Sequence, residues 1–397
     1  MPRPNDDPEH AHPAQPDPHG VREVTSLAAR FLAELDAVAD PDLRALFAVV
    51  RGLPPWTWPA PRDPARMVDI ASANRIWGEL RLRFEAAGAD APAWAKRSRR
   101  ELEARWLAVS RTYAARLPVV RAAGEAFAAR GLECLALKGL HLASAVYAKP
   151  ADRPFDNVDL VVRPRDLPAA EAALRSLGFV PGREQTGPGA VEKSFLLQAG
   201  GGHLVDVDLH WKLIGPLSLV REMRLDVGDL LARSSPAFPG IRFPSPEDAL
   251  AVAAVNLVRH GFRPLGNILD FRELFRRSDP SLIVARARET RTAIATSVGL
   301  TLAKVTFGAE IDDGVIRALA VPPWQSTILG GMLTPEALAR PDAAREFASR
   351  ILAKIAAQDG PIAVGRTSRV VPRMVRAKMP LIRARLRSHF RWRGGGA

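Results

Sequence analysis

Between Leu132 and Trp211 the chain repeatedly sets short apolar runs against single polar residues, and it is flanked on both sides by longer stretches with three-and-four spacing. The spacing of Leu27-Phe31-Leu35 and Leu102-Trp106-Val109 predicts helices from Val21 to about Leu117, with no strand signal among them. The Leu53-Pro-Pro-Trp-Thr-Trp-Pro59 segment interrupts these helices as a packed loop. From Pro118 a helix is predicted to end at Gly131, then a buried strand Leu132–Leu137, then a helix Gly139–Tyr147. A strand over 157–162 follows, then a helix Asp166–Leu177 closed by Gly178. Strands at Phe179–Val180, Val191–Leu197 and Leu204–Trp211 are separated by Gly187-Pro-Gly189 and the glycines at 200–202.

Beyond Pro216 the pattern turns helical again. Ser245-Pro246-Glu247-Asp248 has the form of a helix start, with a serine cap, a proline in the first turn and acids at the positive end of the helix. That helix is expected to reach about His260, and a second runs from Leu265 to Arg277 with Ile268, Phe271 and Phe275 facing inward. The pattern as a whole predicts an α+β chain. It divides into a disordered tail over 1–20, a helical region over 21–117, a small mixed-sheet core over 118–215, a helical region over 216–360 and a basic tail over 361–397.

Charge changes this picture only at one end. Of the net charge of +13, the segment 361–397 supplies +10 through nine arginines, one lysine and no acid. Met379, Ile382, Leu386 and Phe390 recur among those arginines at helical spacing. An amphipathic basic helix is expected there, either packed on one face or laid on an anionic membrane or nucleic-acid surface. No run of about 18 apolar residues appears, which argues against a spanning helix. The start has no apolar signal core. The one cysteine, Cys134, lies in an apolar run, which excludes an internal disulfide and fits a reducing cytoplasm.

The candidate chemistry lies where acids interrupt strands. In Arg153-Pro-Phe-Asp-Asn-Val-Asp-Leu160, alternation puts Asn157 and Asp159 on one face, and in Val205-Asp-Val-Asp-Leu-His210 it puts Asp206, Asp208 and His210 on one face. Carboxylates gathered in this way repel one another and lose hydration, a cost met by a bound cation or partnered bases. Lys138-Gly139 at a strand-to-helix junction offers a cation and a backbone that phosphate can approach. The order strand, Lys-Gly, helix, Asn-x-Asp, helix, acidic strand suits metal-dependent phosphoryl transfer. Asp208 is the first choice, and Asp206 its rival, as the acid that positions a metal or accepts a proton. His210 serves either as a structural histidine beside Trp211 or as a substrate contact, and His260 caps a helix or acts in catalysis. The N-terminal histidines His10, His12 and His19 reflect composition.

Leu137-Lys-Gly139, the segment Arg153–Val162, Asp208-Leu-His-Trp211 and Pro244-Ser-Pro-Glu-Asp248 with His260 and Asp270 together resemble an uncharacterised bacterial nucleotidyltransferase-like family of the DNA polymerase β-like nucleotidyltransferase superfamily. The resemblance covers roughly Pro118 to Arg277. It implies Mg²⁺ or Mn²⁺ and a nucleoside triphosphate whose NMP group passes to an unidentified hydroxyl acceptor with release of pyrophosphate. Asp159 and Asp208 would be the catalytic acids and principal metal ligands, with Asn157 and Asp206 completing the metal set. Lys138, Gly139 and Arg153 would contact phosphate, Arg153 having a structural salt bridge as its alternative. Two departures stand out: Asn157 replaces the first acid of the usual Asp-x-Asp, and Gly139-Leu140 replaces a Gly-Ser pair. Asn157 brings a carbonyl oxygen but no charge, so metal affinity should fall, and Asp156 lies one residue out of register. A catalytically degenerate nucleotide-binding or regulatory module is the competing expectation.

Overall fold

The computed structural model describes residues 18–184, 190–199, 202–214 and 222–339. The basic tail and nearly all of the expected N-terminal tail lie outside them, and so do the amphipathic positions Met379 to Phe390. Seven strands form one mixed sheet: β1 Cys134–Leu137, β2 Val158–Val161, β3 Val180–Glu184, β4 Glu192–Gln198, β5 Leu204–His210, β6 Ser235–Phe238 and β7 Ile241–Phe243. Their spatial order is β3-β4-β5-β2-β1-β7-β6. β1 runs antiparallel to β2, and β2 runs parallel to β5, so the two acid-bearing strands are central neighbours. The fold is a helix-rich α/β arrangement, consistent with the α+β expectation.

Alternation assigns the two faces of the sheet. Val158, Leu160, Val205, Val207 and Leu209 pack into an apolar layer with Phe127 and Leu174 from the covering helices. Leu135, Leu137 and Val161 face the other way, onto Leu230, Leu231 and Val252. Asp159 and Asp208 share that second side, because each is one residue out of step with the apolar set on its strand. Cys134 is fully buried, and burial pushes its thiol up to about 12, so it behaves as a small apolar residue.

The helices on either side of the sheet in sequence share one core. Leu27, Phe31, Phe47, Phe84 and Leu102 belong to the same apolar cluster as Leu250, Phe271, Phe307 and Leu338. In the proline-rich loop Trp58 is buried against Phe84 and Trp94, and its indole N–H donates to Leu53 O at 2.8 Å. No helix among the described residues is long and apolar enough to cross a membrane.

Several elements depart from the sequence pattern. The helix expected to begin at Pro118 is the end of a 36-residue helix, Ala93–Ala128, that contains this proline. An interior proline costs about 3 kcal/mol through a lost hydrogen bond and a ring clash. Burial of Leu102 on one side of it and of Val120, Ala123 and Phe127 on the other holds the helix continuous. Gly139–Tyr147 is a single α-turn, Lys138–His141, followed by a wider π-turn, Leu142–Val146. The wholly helical pattern expected beyond Pro216 is interrupted by the β6–β7 hairpin, whose three- and four-residue strands are too short to show alternation. Gly240 turns this hairpin at φ +69°, and a Cβ there would lie 2.2 Å from Gly124 O, so helix and hairpin meet backbone to backbone. The helix starting after Ser245 spans Pro246–Arg259, with Ser245 Oγ accepting from the Asp248 N–H, and the next spans Leu265–Phe275, as expected.

Candidate metal and nucleotide site

Pairing in parallel register brings Asp159 directly beside Asp208, and β1 brings Leu137 opposite Asp159 from the other side. The chain leaves β1 through Lys138, which takes a left-handed φ of +45°, a conformation non-glycine residues rarely hold. Its ammonium donates to Asp159 Oδ1 at 2.7 Å. His210 lies two residues after Asp208 on the same face of β5, and its Nε2 is 3.1 Å from the same Oδ1. Its Nδ1 is 3.1 Å from Glu192 Oε2 on β4, the partner of His210 in the ladder. Asn157, just before β2, donates from Nδ2 to Asp208 Oδ2.

One ligand atom from each of Asp159, Asp208 and His210 lies within 4.8 Å of the others, so the three could hold a metal ion. The donor chemistry fits a divalent cation. Two carboxylates supply hard oxygens, and with a cation bound the tautomer that donates Nδ1–H to Glu192 would turn its Nε2 lone pair to the cluster, an orientation metal-binding histidines depend on. Asp206 is on the same face, but it stands outside this group and accepts from Ser194 Oγ at 2.8 Å. Asp156 points elsewhere, exposed and bonded to Arg75. Asn157 presents its amide N–H to Asp208, so its carbonyl oxygen is not the end engaged there.

The environment separates the two acids. Burial raises the Asp159 carboxyl, but the nearby Lys138 ammonium and His210 outweigh it and hold the group well below its usual range. Asp208 is raised, by burial first and then by the negative charges of Asp159, Asp206 and Glu192, against the lowering bond from Asn157.

A cavity of about 320 Å³ opens over these groups. Asp159, Asp208 and Glu192 line it, and so do Lys138, Gly139, Arg75, Asn256, Arg259, His260 and Asn267. Gly139 is required by packing, since a Cβ there would lie 2.5 Å from Phe155 Cβ. Arg153 touches the cavity, but its guanidinium binds Asp270 in bidentate fashion at 2.6 and 2.8 Å and donates to Pro154 O at 2.7 Å. Tyr147 completes that buried group by donating to Asp270 Oδ1 at 2.8 Å. This geometry matches the salt-bridge alternative for Arg153.

His260 follows the Pro246–Arg259 helix, but it is not the cation a helix end would favour. Burial, then the charges of Arg259, Lys138 and Arg75, lower its imidazole to about 4. Arg75, Asn256, Arg259, Asn267 and Glu192 carried no signal in the sequence. They reach the cavity from elements distant in the chain, and none belongs to a local pattern.

A family described as an uncharacterised nucleotidyltransferase matches residues 60–308, more than half of the chain and all of the residues that line this cavity. No curated protein and no solved structure matches.

Proposed function

The chain belongs to this uncharacterised nucleotidyltransferase family, and from that premise we propose that it transfers an NMP group from a nucleoside triphosphate to a hydroxyl acceptor. Asp159, Asp208 and His210 would hold a divalent cation, Mg²⁺ or Mn²⁺. The observation that carries the proposal is the side-by-side placement of Asp159 and Asp208 in register on β2 and β5, with His210 close beside them. The cation, when bound, supplies charge neutralisation at the α-phosphate. Placement in the DNA polymerase β-like superfamily is part of the proposal, supported by the pairing of two acid-bearing strands at the centre of the sheet.

The chain's own residues have distinct tasks. Asp159 stays ionised across the working range and anchors the site, while Lys138 fixes its orientation. Asp208, whose raised carboxyl makes it the stronger base of the two, takes the proton of the acceptor hydroxyl. The acceptor oxygen then bonds to the α-phosphorus, the bond from that phosphorus to the bridging oxygen breaks, and pyrophosphate leaves with the electron pair. Asn157 holds Asp208 in place through its amide N–H. Cys134, reduced and buried, fits a cytoplasmic setting.

A second reading, a nucleotide-binding module without catalysis, is favoured by one observation. Lys138 and His210 already converge on one oxygen of Asp159, and Asn157 supplies a donor where a second acid would supply charge. Calorimetric titration with ATP, GTP, CTP and UTP, with and without Mg²⁺ or Mn²⁺, alongside pyrophosphate detection, separates the two. Metal-dependent binding with pyrophosphate release upon supply of a hydroxyl acceptor supports transfer. Binding that never yields pyrophosphate favours the module, and absence of any triphosphate binding sinks both.

A further inference from the structure

The cavity is lined by groups of both charges, and the cations expected from the sequence to take the phosphates are committed elsewhere. Lys138 is bonded to Asp159, and Arg153 is paired with buried Asp270. Arg259, at the end of its helix, lines the cavity and has no ion-pair partner among the described residues. Arg75 lines the same cavity. Its contact, Asp156, is 82% exposed, so this pair is weak and exchangeable.

We propose that the arginines of this lining hold the triphosphate, with Arg259 as the principal contact and Arg75 as the second. The inference rests on the nucleotidyltransferase reading and names a part of that site. With the reacting phosphorus placed at Asp159 and Asp208, the remaining phosphates must extend away from the carboxylates that would repel them. The same lining offers two guanidiniums, which match phosphate oxygens as bidentate donors, and the side-chain amide of Asn256.

The backbone around Arg75 is braced on several sides. Asn74, buried beside Arg75, donates from Nδ2 to Ile70 O and Ala339 O at 3.0 and 2.8 Å, and its backbone carbonyl accepts from Gly266 N–H at 2.8 Å. Arg75 is thereby fixed, at a left-handed φ of +57°, against the start of the Leu265–Phe275 helix. The backbone that carries Arg75 is set before a ligand arrives, which lowers part of the ordering cost of binding.

The test is calorimetric titration of the full chain with inorganic tripolyphosphate in chelator, and in parallel with each nucleoside triphosphate plus Mg²⁺. Arg259→Ala and Arg75→Ala are compared with Arg121→Ala, an exposed arginine against Phe238 that is not part of the cavity. Arg259→Ala should weaken tripolyphosphate by roughly tenfold or more, the loss of a charged hydrogen-bonding partner, and Arg121→Ala by less than about twofold. Mn²⁺ binding in the absence of nucleotide should be unchanged in Arg259→Ala. Equal tripolyphosphate affinity in wild type and Arg259→Ala, equal loss in Arg121→Ala, or no tripolyphosphate binding by the wild type overturns the assignment. Metal-dependent nucleotide binding indifferent to Arg259 removes this subsite and leaves the transferase reading standing. Arg259-dependent tripolyphosphate binding without nucleotide binding keeps the anion site and removes the transferase reading.

Discussion

Asp159 and Asp208 are direct partners on neighbouring parallel strands, yet their surroundings drive their carboxyls in opposite directions, Asp159 down and Asp208 up. The stability consequences are therefore opposite in sign. Asp159, depressed in the fold, contributes stability that is present above its unfolded value of about 4 and is lost as the pH falls through the lower folded value. Asp208, raised in the fold, contributes stability that is present below about 4 and is lost as the pH rises through its folded value. In urea unfolding from pH 3 to 7 with chelator, Asp159→Asn should lose about 3 kcal/mol at neutral pH, the cost of breaking a buried ion pair, and show a flatter acid limb. Asp208→Asn should be more stable than wild type at neutral pH while losing transfer activity by about 100-fold or more. Equal pH profiles for the two variants would refute the division of roles.

Replacing Asn157 tests the missing charge. Without metal, Asn157→Asp sets a carboxylate against Asp208 where an amide N–H now donates, so thermal stability should drop in chelator. With Mn²⁺ the same variant should show a larger stabilising shift than wild type, because another hard anionic oxygen joins the cluster. A metal-induced shift no larger than that of wild type would place the first ligand position elsewhere.

The Arg153–Asp270 pair predicts a loss of stability before any loss of binding. Arg153→Ala leaves the Asp270 carboxylate buried with only the Tyr147 hydroxyl still donating to it, a change that typically costs about 3 to 5 kcal/mol. Arg153→Lys keeps the charge but not the two-point geometry and should fall between. Denaturant unfolding together with nucleotide titration below the unfolding range checks this. Normal stability with lost nucleotide binding would return Arg153 to the phosphates.

Gly139 answers to packing. Gly139→Ala should destabilise by about 1 to 3 kcal/mol through the clash with Phe155, and the displaced Phe155 should carry Asn157 and Asp159 with it, weakening metal binding. Combining it with Phe155→Ala should cost less than the sum of the two single changes, measured as a double-mutant cycle of unfolding free energies. Strict additivity would show that the glycine is needed for another reason.

The alternation of Val205, Val207 and Leu209 with Asp206, Asp208 and His210 was legible because a strand writes its two faces into sequence at period two. Ser245 and Pro246 announced their helix for an equally local reason. That Asp208 would lie beside Asp159 depends on strand pairing across about fifty residues, which alternation alone does not specify. The β6–β7 hairpin and the continuation of a helix through Pro118 were hidden, the first because its strands are so short, the second because distant burial overrides a local penalty. The basic part of the lining was least visible of all. Arg75 and Arg259 become neighbours of the carboxylates only when helices from both ends of the described chain close over the sheet.

That closure also orders events in time. Asn74 and Ala339, joined by a buried hydrogen bond, are 265 residues apart, and the first helices share their apolar core with helices that begin at Pro246. A nascent chain emerging from the ribosome can pair β1, β2 and β5 well before its N-terminal helices meet their late partners. A fragment ending before Pro246 should leave those helices open to protease while the central strands are protected. The acids would thus be brought together early, and the pocket would take its full lining only after the helices from Pro246 onward have folded back onto the earlier ones.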